Sequence, residues 1–341
     1  MNLAKGFRGG ERQTALLIET LASRGNLQQT LVCRKDSPLR EVLRDVSGLR
    51  FVSANHQLAG HGSVRKADTV HAHEAKAVHW AFLHHGLKGV PYIVTRRVDT
   101  PVKDRPSNRW CYRRAVRRVA ISRVIMRELE MRGWGGVDLI PSAFSGLPTC
   151  EEATRRFHDT FAGKFLVGHA GALVDRHKGQ RVLLEAARLL ETRLPELQFV
   201  FLGDGEDREM LERESADQPN VAWLGFKENI GDYLAGLDMF AFPSRNEGLG
   251  SVLLDVMNVG VPIVATDVGG IPDIVQDNKT GLLVPKDDAI ALSDALTRLY
   301  RSESLRAQLS QSAKQQLDRF SPEAMADSYI SIYESIFRQE P

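Results

Sequence analysis

The chain has 341 residues and a mass of 38.0 kDa, room for two domains at about 100–200 residues each. Hydrophobic residues at 43% and charged residues at 26% exclude a disordered tail or a fibrous repeat, no run approaches the ~20 apolar residues that span a bilayer, and three widely spaced cysteines (Cys33, Cys111, Cys150) exclude a disulfide framework or a zinc cluster. The net charge of +2 conceals an asymmetry: residues 1–160 hold 27 basic and 15 acidic residues, a net +12, and the remainder hold 18 and 28, a net −10. The basic excess concentrates between Arg96 and Arg132, which suggests an anionic partner for the first half; a solvated arginine-rich surface is the alternative.

In chain order, a glycine-rich loop at residues 6–10 follows only three or four residues able to form a strand. A first strand this short predicts that the chain start is clipped. Short apolar runs then recur at 30–33, 49–52, 69–72, 92–95, 119–121 and 139–140. The stretch 149–164 is polar with no strong period. Runs at 165–169, 198–202, 222–224, 239–242, 263–265 and 282–284 follow, with helix-like segments between them such as 180–192 and 206–214. Strands alternating with helices predict parallel sheets covered on both faces. The expected fold is therefore α/β, with two Rossmann-like doubly wound domains at residues 1–160 and 161–320. A last helix in 321–341, carrying Met325, Tyr329, Ile332, Tyr333 and Ile336 at helical spacing, would return toward the first domain. The N-terminus has no apolar core for a signal peptide, so a cytoplasmic location is expected.

Several chemistries lack their motifs. No G-x-x-x-x-G-K-[ST] loop, no G-x-G-x-x-G after a strand and no Asp-x-Asp pair occurs. His71, His73, His79, His84 and His85 do not match a zinc spacing, so no metal site is expected. The informative stretch is 242–285. A strand ending at Phe242 leads into Pro243-Ser244-Arg245-Asn246-Glu247-Gly248-Leu249-Gly250, and a helix starts near Gly250 or Ser251. Free N–H groups at such a start bind phosphate, with Gly248, Leu249 and Gly250 at the approach. Glu247 precedes the helix and Asp255 lies inside it, a spacing that lets two carboxylates flank a diphosphate and accept hydrogen bonds from sugar and ribose hydroxyls.

This segment resembles the signature of the retaining glycosyltransferases of family four, which have the GT-B arrangement of two Rossmann-like domains with a nucleotide-sugar cleft between them. That family carries E-x7-E, then G-x-P, then G-G-x-x-E. Here the positions read Glu247 with Asp255, then Gly260-Val261-Pro262, then Gly269-Gly270-Ile271-Pro272-Asp273. The resemblance implies that Glu247 approaches the donor sugar and Asp255 holds the ribose, with Asp in place of the second Glu. At residues 171–179 the family's diphosphate-binding Arg is replaced by Ala172, while Lys178 is retained and Arg176 is a candidate replacement. In the first half, Gly9-Gly10 resembles the loop that approaches the donor phosphate, and His73 resembles the strand-end histidine beside the donor sugar. Arg96 and Arg97, at the end of a strand, suit an anionic acceptor.

The resemblance implies a hexosyltransferase that takes a UDP-, GDP- or ADP-sugar, with retention, and needs no cofactor. The acceptor would be an anionic glycan or glycolipid in cell-surface polysaccharide or lipopolysaccharide synthesis. Peripheral docking on a membrane through the basic first half is expected with it, and nucleic acid is not an expected partner. An epimerase or phosphorylase on the same architecture, or a catalytically weak binding relative, are the alternatives.

Overall fold

A computed structural model of the chain describes residues 1–25 and 27–338. They form two compact units. The first is Met1–Ser145 together with the C-terminal segment from Arg319, and the second is Gly146–Asp318. The sequence puts the junction near 160, but the polar stretch there is a helix, Glu151–Asp159, that belongs to the second unit. Its Phe157 ring lies 4.8 Å from Tyr233, and Gly236 leaves it room, since a Cβ there would come 2.7 Å from Phe157.

The first unit has strands β1 (Thr30–Cys33), β2 (Arg50–Ser53), β3 (Val70–Ala72), β4 (Tyr92–Arg96), β5 (Arg117–Ala120) and β6 (Val137–Leu139), all parallel to their neighbours. They pair as β2-β1 and as β3-β4-β5-β6. Residues 1–3 lie between these two sets. Asn2 bridges to Cys33 and donates its amide to Val32 at 3.0 Å, while the Met1 amine donates to the His71 carbonyl and the His73 amide to the Met1 carbonyl. The strand order therefore reverses between residues 1–3 and β3, and the loop after residues 1–3 opens at that reversal. The sequence reads 6–10 as loop throughout, whereas Gly9 and Gly10 form the first turn of a helix, Gly9–Ser23. Glu11 supplies the reason: its carboxylate accepts the Arg8 amide at 3.1 Å, a capping contact one turn into the helix. The C-terminal helix Pro322–Phe337, capped by Ser321, completes this core: Met325, Tyr329 and Ile332 are buried against Leu17, Leu21, Ile93 and Val119.

The second unit holds β7 (Phe165–Ala170), β8 (Leu197–Leu202), β9 (Val221–Gly225), β10 (Met239–Phe242), β11 (Ile263–Thr266) and β12 (Leu282–Val284) in one parallel sheet ordered β12-β11-β10-β7-β8-β9. The sequences of β8, β10 and β11 are almost continuously apolar because both faces are covered, and every residue in them is buried. On β7, Gly168 is required: a Cβ there would come 2.1 Å from Leu237. The order reverses between β7 and β10, so the loops leaving Ala170 and Phe242 face the crevice where such sheets bind ligands. Among the described residues no helix is long and apolar enough to cross a membrane.

One buried polar residue on β7 makes stability pH-dependent. His169 is fully buried; one ring nitrogen is 3.1 Å from the Ala241 carbonyl and the other 3.3 Å from Gln180 Nε2. Burial, opposed by the bond to Ala241, lowers its pKa to about 4. The unfolded chain then binds the proton first as pH falls below about 6.5, so this group's stabilisation is present above that value and is lost down to about pH 4. His169→Asn should reduce the fall in unfolding free energy between pH 6.5 and 4 by about 3 kcal/mol. Urea titrations at both pH values check this, and identical losses in the two proteins would reject it.

Candidate active site

The site in the second unit is built by two loops at the strand reversal. After β7 the chain makes one short turn, Asp175–Lys178, then Gly179 at φ +66° opens the helix Gln180–Leu190. A Cβ on Gly179 would come 2.1 Å from the Pro243 carbonyl oxygen, so glycine lets the β7 loop touch the β10 loop. The two loops are joined further by backbone. The Arg245 and Asn246 amides donate to the His177 carbonyl at 2.8 and 3.2 Å.

Asp175 is the anchor beneath them. Its carboxylate is 4% exposed by residue and accepts from the Arg181 amide at 2.8 Å, from Arg181 Nη1 at 3.1 Å and from Arg245 Nη1 at 2.8 Å. Burial alone would raise its pKa; the Arg181 amide, the Arg245 guanidinium and both positive charges outweigh that and hold the carboxyl below its ordinary value. Arg245 also donates to Asp287 and to the Asp175 carbonyl. Neither Asp175 nor Arg245 was singled out from sequence. The one available signal was a charged residue two positions before Glu247.

On this base Lys178 Nζ meets Glu247 Oε2 at 2.5 Å, with both side chains mostly buried, and the ammonium also sits 5.3 Å from the Phe242 ring centroid. Glu247 is held from behind. The Gly270 amide donates to its carbonyl at 2.9 Å, and Gly269, at φ +56°, lies so close that a Cβ would come 2.0 Å from that oxygen. The glycine pair thus grips the backbone of the candidate residue. Gly248, Leu249 and Gly250 follow, and the helix begins at Val252, one or two residues later than the sequence suggests. The amides of Gly248, Leu249 and Gly250 enter no backbone hydrogen bond among the described residues. Asp255 is buried within the helix Val252–Val259. Arg176 stands apart: it is exposed, with Nη1 at 2.7 Å from Glu206 and Nε at 3.3 Å from His177 Nε2.

The first unit has its own cluster at the strand reversal. His73 follows β3 and is buried; its ring centroid is 3.9 Å from that of His71. One His71 nitrogen is 2.8 Å from Tyr333 Oη and the other 2.7 Å from Thr95 Oγ1, which in turn is 3.0 Å from Tyr329 Oη. Burial first, then neighbouring groups that include Arg97, holds both histidines well below their ordinary pKa. Gly10 packs against Arg97, with a Cβ position 3.7 Å from its Cδ. Arg96 is turned to its own loop and donates to the Thr100 carbonyl. Among the described residues no group of three or more His, Cys, Asp or Glu converges to hold a metal ion.

Residues 151–316 match the family described as glycosyl transferases group 1. The chain is 28% identical over 335 residues to the lipopolysaccharide core biosynthesis glycosyltransferase LpsE of Rhizobium meliloti, covering 96% of each. It is 32% identical over 183 residues to a D-inositol 3-phosphate glycosyltransferase of Corynebacterium urealyticum, a match over 50% of this chain and 43% of that protein. Its fold is that of the Anabaena protein Alr3699/HepE, solved in complex with UDP and glucose: the TM-score is 0.85 over 98% of each chain at 18% identity. Residues 151–316 therefore form a group 1 glycosyl transferase domain, and the chain as a whole has the GT-B fold.

Proposed function

We propose that this glycosyltransferase moves a hexose from a nucleotide-sugar donor, with retention of anomeric configuration, to an anionic glycan or glycolipid acceptor. The observation that carries the reading is the Lys178–Glu247 pair at the strand reversal, seated on the Asp175–Arg245 anchor. The ammonium is already beside the place where a diphosphate would meet the helix start. On donor binding it would pass from Glu247 to the phosphate oxygens, leaving the carboxylate to the sugar. The open amides of Gly248, Leu249 and Gly250 would stabilise the charge that builds on the leaving diphosphate, aided by the helix dipole. That diphosphate can itself take the acceptor proton on the face where it departs, so the reading needs no protein base at that step. Asp255 is assigned the ribose hydroxyls. Arg176 is assigned an outer contact to the donor, reached by leaving Glu206. His73 and the Gly9-Gly10 turn are assigned to the donor's sugar and phosphate end.

The similarity to LpsE supports a role in lipopolysaccharide core or related polysaccharide synthesis, and the complex of the Anabaena protein makes UDP and UDP-sugars the first donors to test. Peripheral docking on an anionic surface is supported by the helix Pro106–Arg114, where Trp110 is 63% exposed beside exposed Arg105, Arg109, Arg113 and Arg114. The test of the whole reading is thermal stabilisation by UDP, GDP and ADP followed by transfer from the matching sugar nucleotides. A ligand at 100 Kd should add about 2.7 kcal/mol. No stabilisation by any nucleotide, with no transfer or hydrolysis, would reject it.

Three substitutions divide the labour. Glu247→Gln should lower turnover by about 10²-fold or more with little change in nucleotide affinity; near-normal turnover would remove Glu247 from the chemistry. Asp255→Ala should weaken nucleotide binding by about 1.5–3 kcal/mol while Asp255→Glu keeps it, and calorimetric titration decides. Gly269→Ala should lower turnover without loss of the folded state, because its Cβ displaces the Glu247 carbonyl. Full activity in a folded Gly269→Ala protein would show that the grip on Glu247 is dispensable.

A further inference from the structure

Trp80 and His84 lie one turn apart on the helix Ala75–Lys88, and both are buried. The loop that follows β2 brings His61, 9% exposed, to the same place. Both imidazoles stack on the indole of Trp80, with ring centroids 4.5 and 4.7 Å from it and planes within 11°. They share one face of the indole. Rings on opposite faces would stand about 7 Å apart or more, twice a van der Waals contact, whereas these centroids are 5.5 Å apart. Their planes differ by 17°, and His61 Nδ1 is 3.3 Å from His84 Nδ1. The two imidazoles therefore lie edge to edge over the indole, nitrogen facing nitrogen. The same indole holds the loop directly, since Trp80 Nε1 donates to the Ala59 carbonyl at 2.7 Å. Gly60, at φ +82°, folds the loop back on the end of β2, where a Cβ would come 3.0 Å from the Ser53 carbonyl oxygen. Leu58, near the tip, is 74% exposed.

The partners fix the protons. The Gln57 carbonyl, 2.9 Å from His61 Nε2, can only accept, so that nitrogen carries a hydrogen and His61 Nδ1 offers a lone pair. His84 Nδ1 then donates to it. Three of the four ring nitrogens are committed in this way, and His84 Nε2 is the one open to a first added proton. That proton leaves the shared bond intact and places a cation over the indole face. A second proton must take the lone pair of His61 Nδ1, which sets two N–H groups and two like charges against each other.

We infer that the His61–His84 pair on Trp80 is a proton-sensitive latch, which holds residues 54–63 against the end of β2 while the imidazoles share one hydrogen and releases them when both rings are charged. The direction follows from proton counting. Burial first, then His61, then Lys88 one turn along the helix, holds His84 below its ordinary pKa. Release returns both rings to water, where they charge near pH 6.5. The latched form binds fewer protons below that pH, so acid favours release and the latch holds above it. The other histidines of the helix face elsewhere, His79 to the Ala75 carbonyl and His85 to the Val90 carbonyl and Arg114. The loop leaves the carboxyl end of its strand, the end at which such sheets bind ligands. The latch itself does not rest on the transferase reading.

NMR of the full chain tests it. Long-range nitrogen–proton correlation spectra near pH 7.5 should show His61 as the Nε2–H tautomer and His84 as the Nδ1–H tautomer, each assigned by the signals lost in His61→Gln or His84→Gln. The Trp80 indole N–H, assigned by its loss in Trp80→Phe, should move upfield as the pH falls from about 7.5 to about 5, the range in which imidazoles charge, because its bond to Ala59 opens. The indole signals of Trp134 in the first unit and Trp223 in the second should stay in place. His84→Gln should hold the Trp80 signal fixed over the same range, since its amide can donate to His61 Nδ1 or, turned over, accept from it. Should His84→Gln fail to fold, His61→Gln decides by the same measurement. Two Nε2–H tautomers near pH 7.5 overturn the shared bond. A Trp80 signal that stays fixed in the wild type, or that moves equally in the folded Gln variants, overturns the latch. Movement of all three indoles together gives the change to general unfolding and overturns it as well. None of these outcomes depends on observing transfer.

Discussion

The buried carboxylate of Asp175 is the interaction on which the donor-side geometry depends. It ties the turn after β7 to the helix Gln180–Leu190 through Arg181 and to the loop after β10 through Arg245. Those loops leave neighbouring strands of the sheet but are about 70 residues apart in sequence, so nothing local holds them together. Lys178 and Glu247 sit one on each side of that tie, three residues past Asp175 and two past Arg245. A pair less than fully exposed keeps much of its Coulombic attraction, and its value here is positional rather than stabilising. The glycines do the complementary work. Gly179 and Gly269 remove the Cβ atoms that would push the loops apart, so the arrangement is fixed by charge from one direction and by close backbone contact from the other.

The two units solve the same topological problem with opposite electrostatic outcomes. In each, a parallel sheet reverses its strand order and a glycine-containing loop opens beside the reversal. In the second unit the cation there is neutralised within the protein by Glu247. In the first, Nε and Nη2 of Arg97 and Nδ1 of His73 meet no hydrogen-bond partner among the described residues. A protein that keeps such a deficit accepts a lower stability than its core could give, and sites that must receive a ligand are where that happens.

Much of the architecture was legible because both sheets are buried on both faces, which forces short apolar runs at each strand; the runs at 239–242 and 282–284 coincide with β10 and β12 to the residue. The loop that carries Glu247 and the helix that carries Asp255 were legible because a glycine-containing stretch follows the apolar run of β10. The glycines at 9–10 misled because permissive residues read as loop, while the cap that makes them helical is the side chain of Glu11. The anchor of Asp175 and Arg245 was hidden by its sequence separation, as was the contact of Tyr333 with His71 across 262 positions. Arg96 and Arg97 were indistinguishable as letters. Their separation comes from the chain turning at the end of β4, which sends one side chain to its own loop and the other into the corner beside Gly10.

The three residues at the start of the chain have a dynamic consequence. Among the described residues, the backbone hydrogen bonds that join the pair β1-β2 to the rest of the first sheet run through them, by the amide of Asn2 on one side and the hydrogen bonds of Met1 with His71 and His73 on the other. Cooperative opening units tend to divide where few bonds cross. On that division the amide hydrogens of β1 and β2 would exchange from a smaller, more readily opened block than those of β4 and β5, which are flanked by strands on both sides. The helix Gly9–Ser23, linked to Asn2 through its Thr14 and Glu11 side chains, is on the seam between the blocks. Slow breathing of that seam would reach the Gly9-Gly10 turn before it reached the core beneath β4.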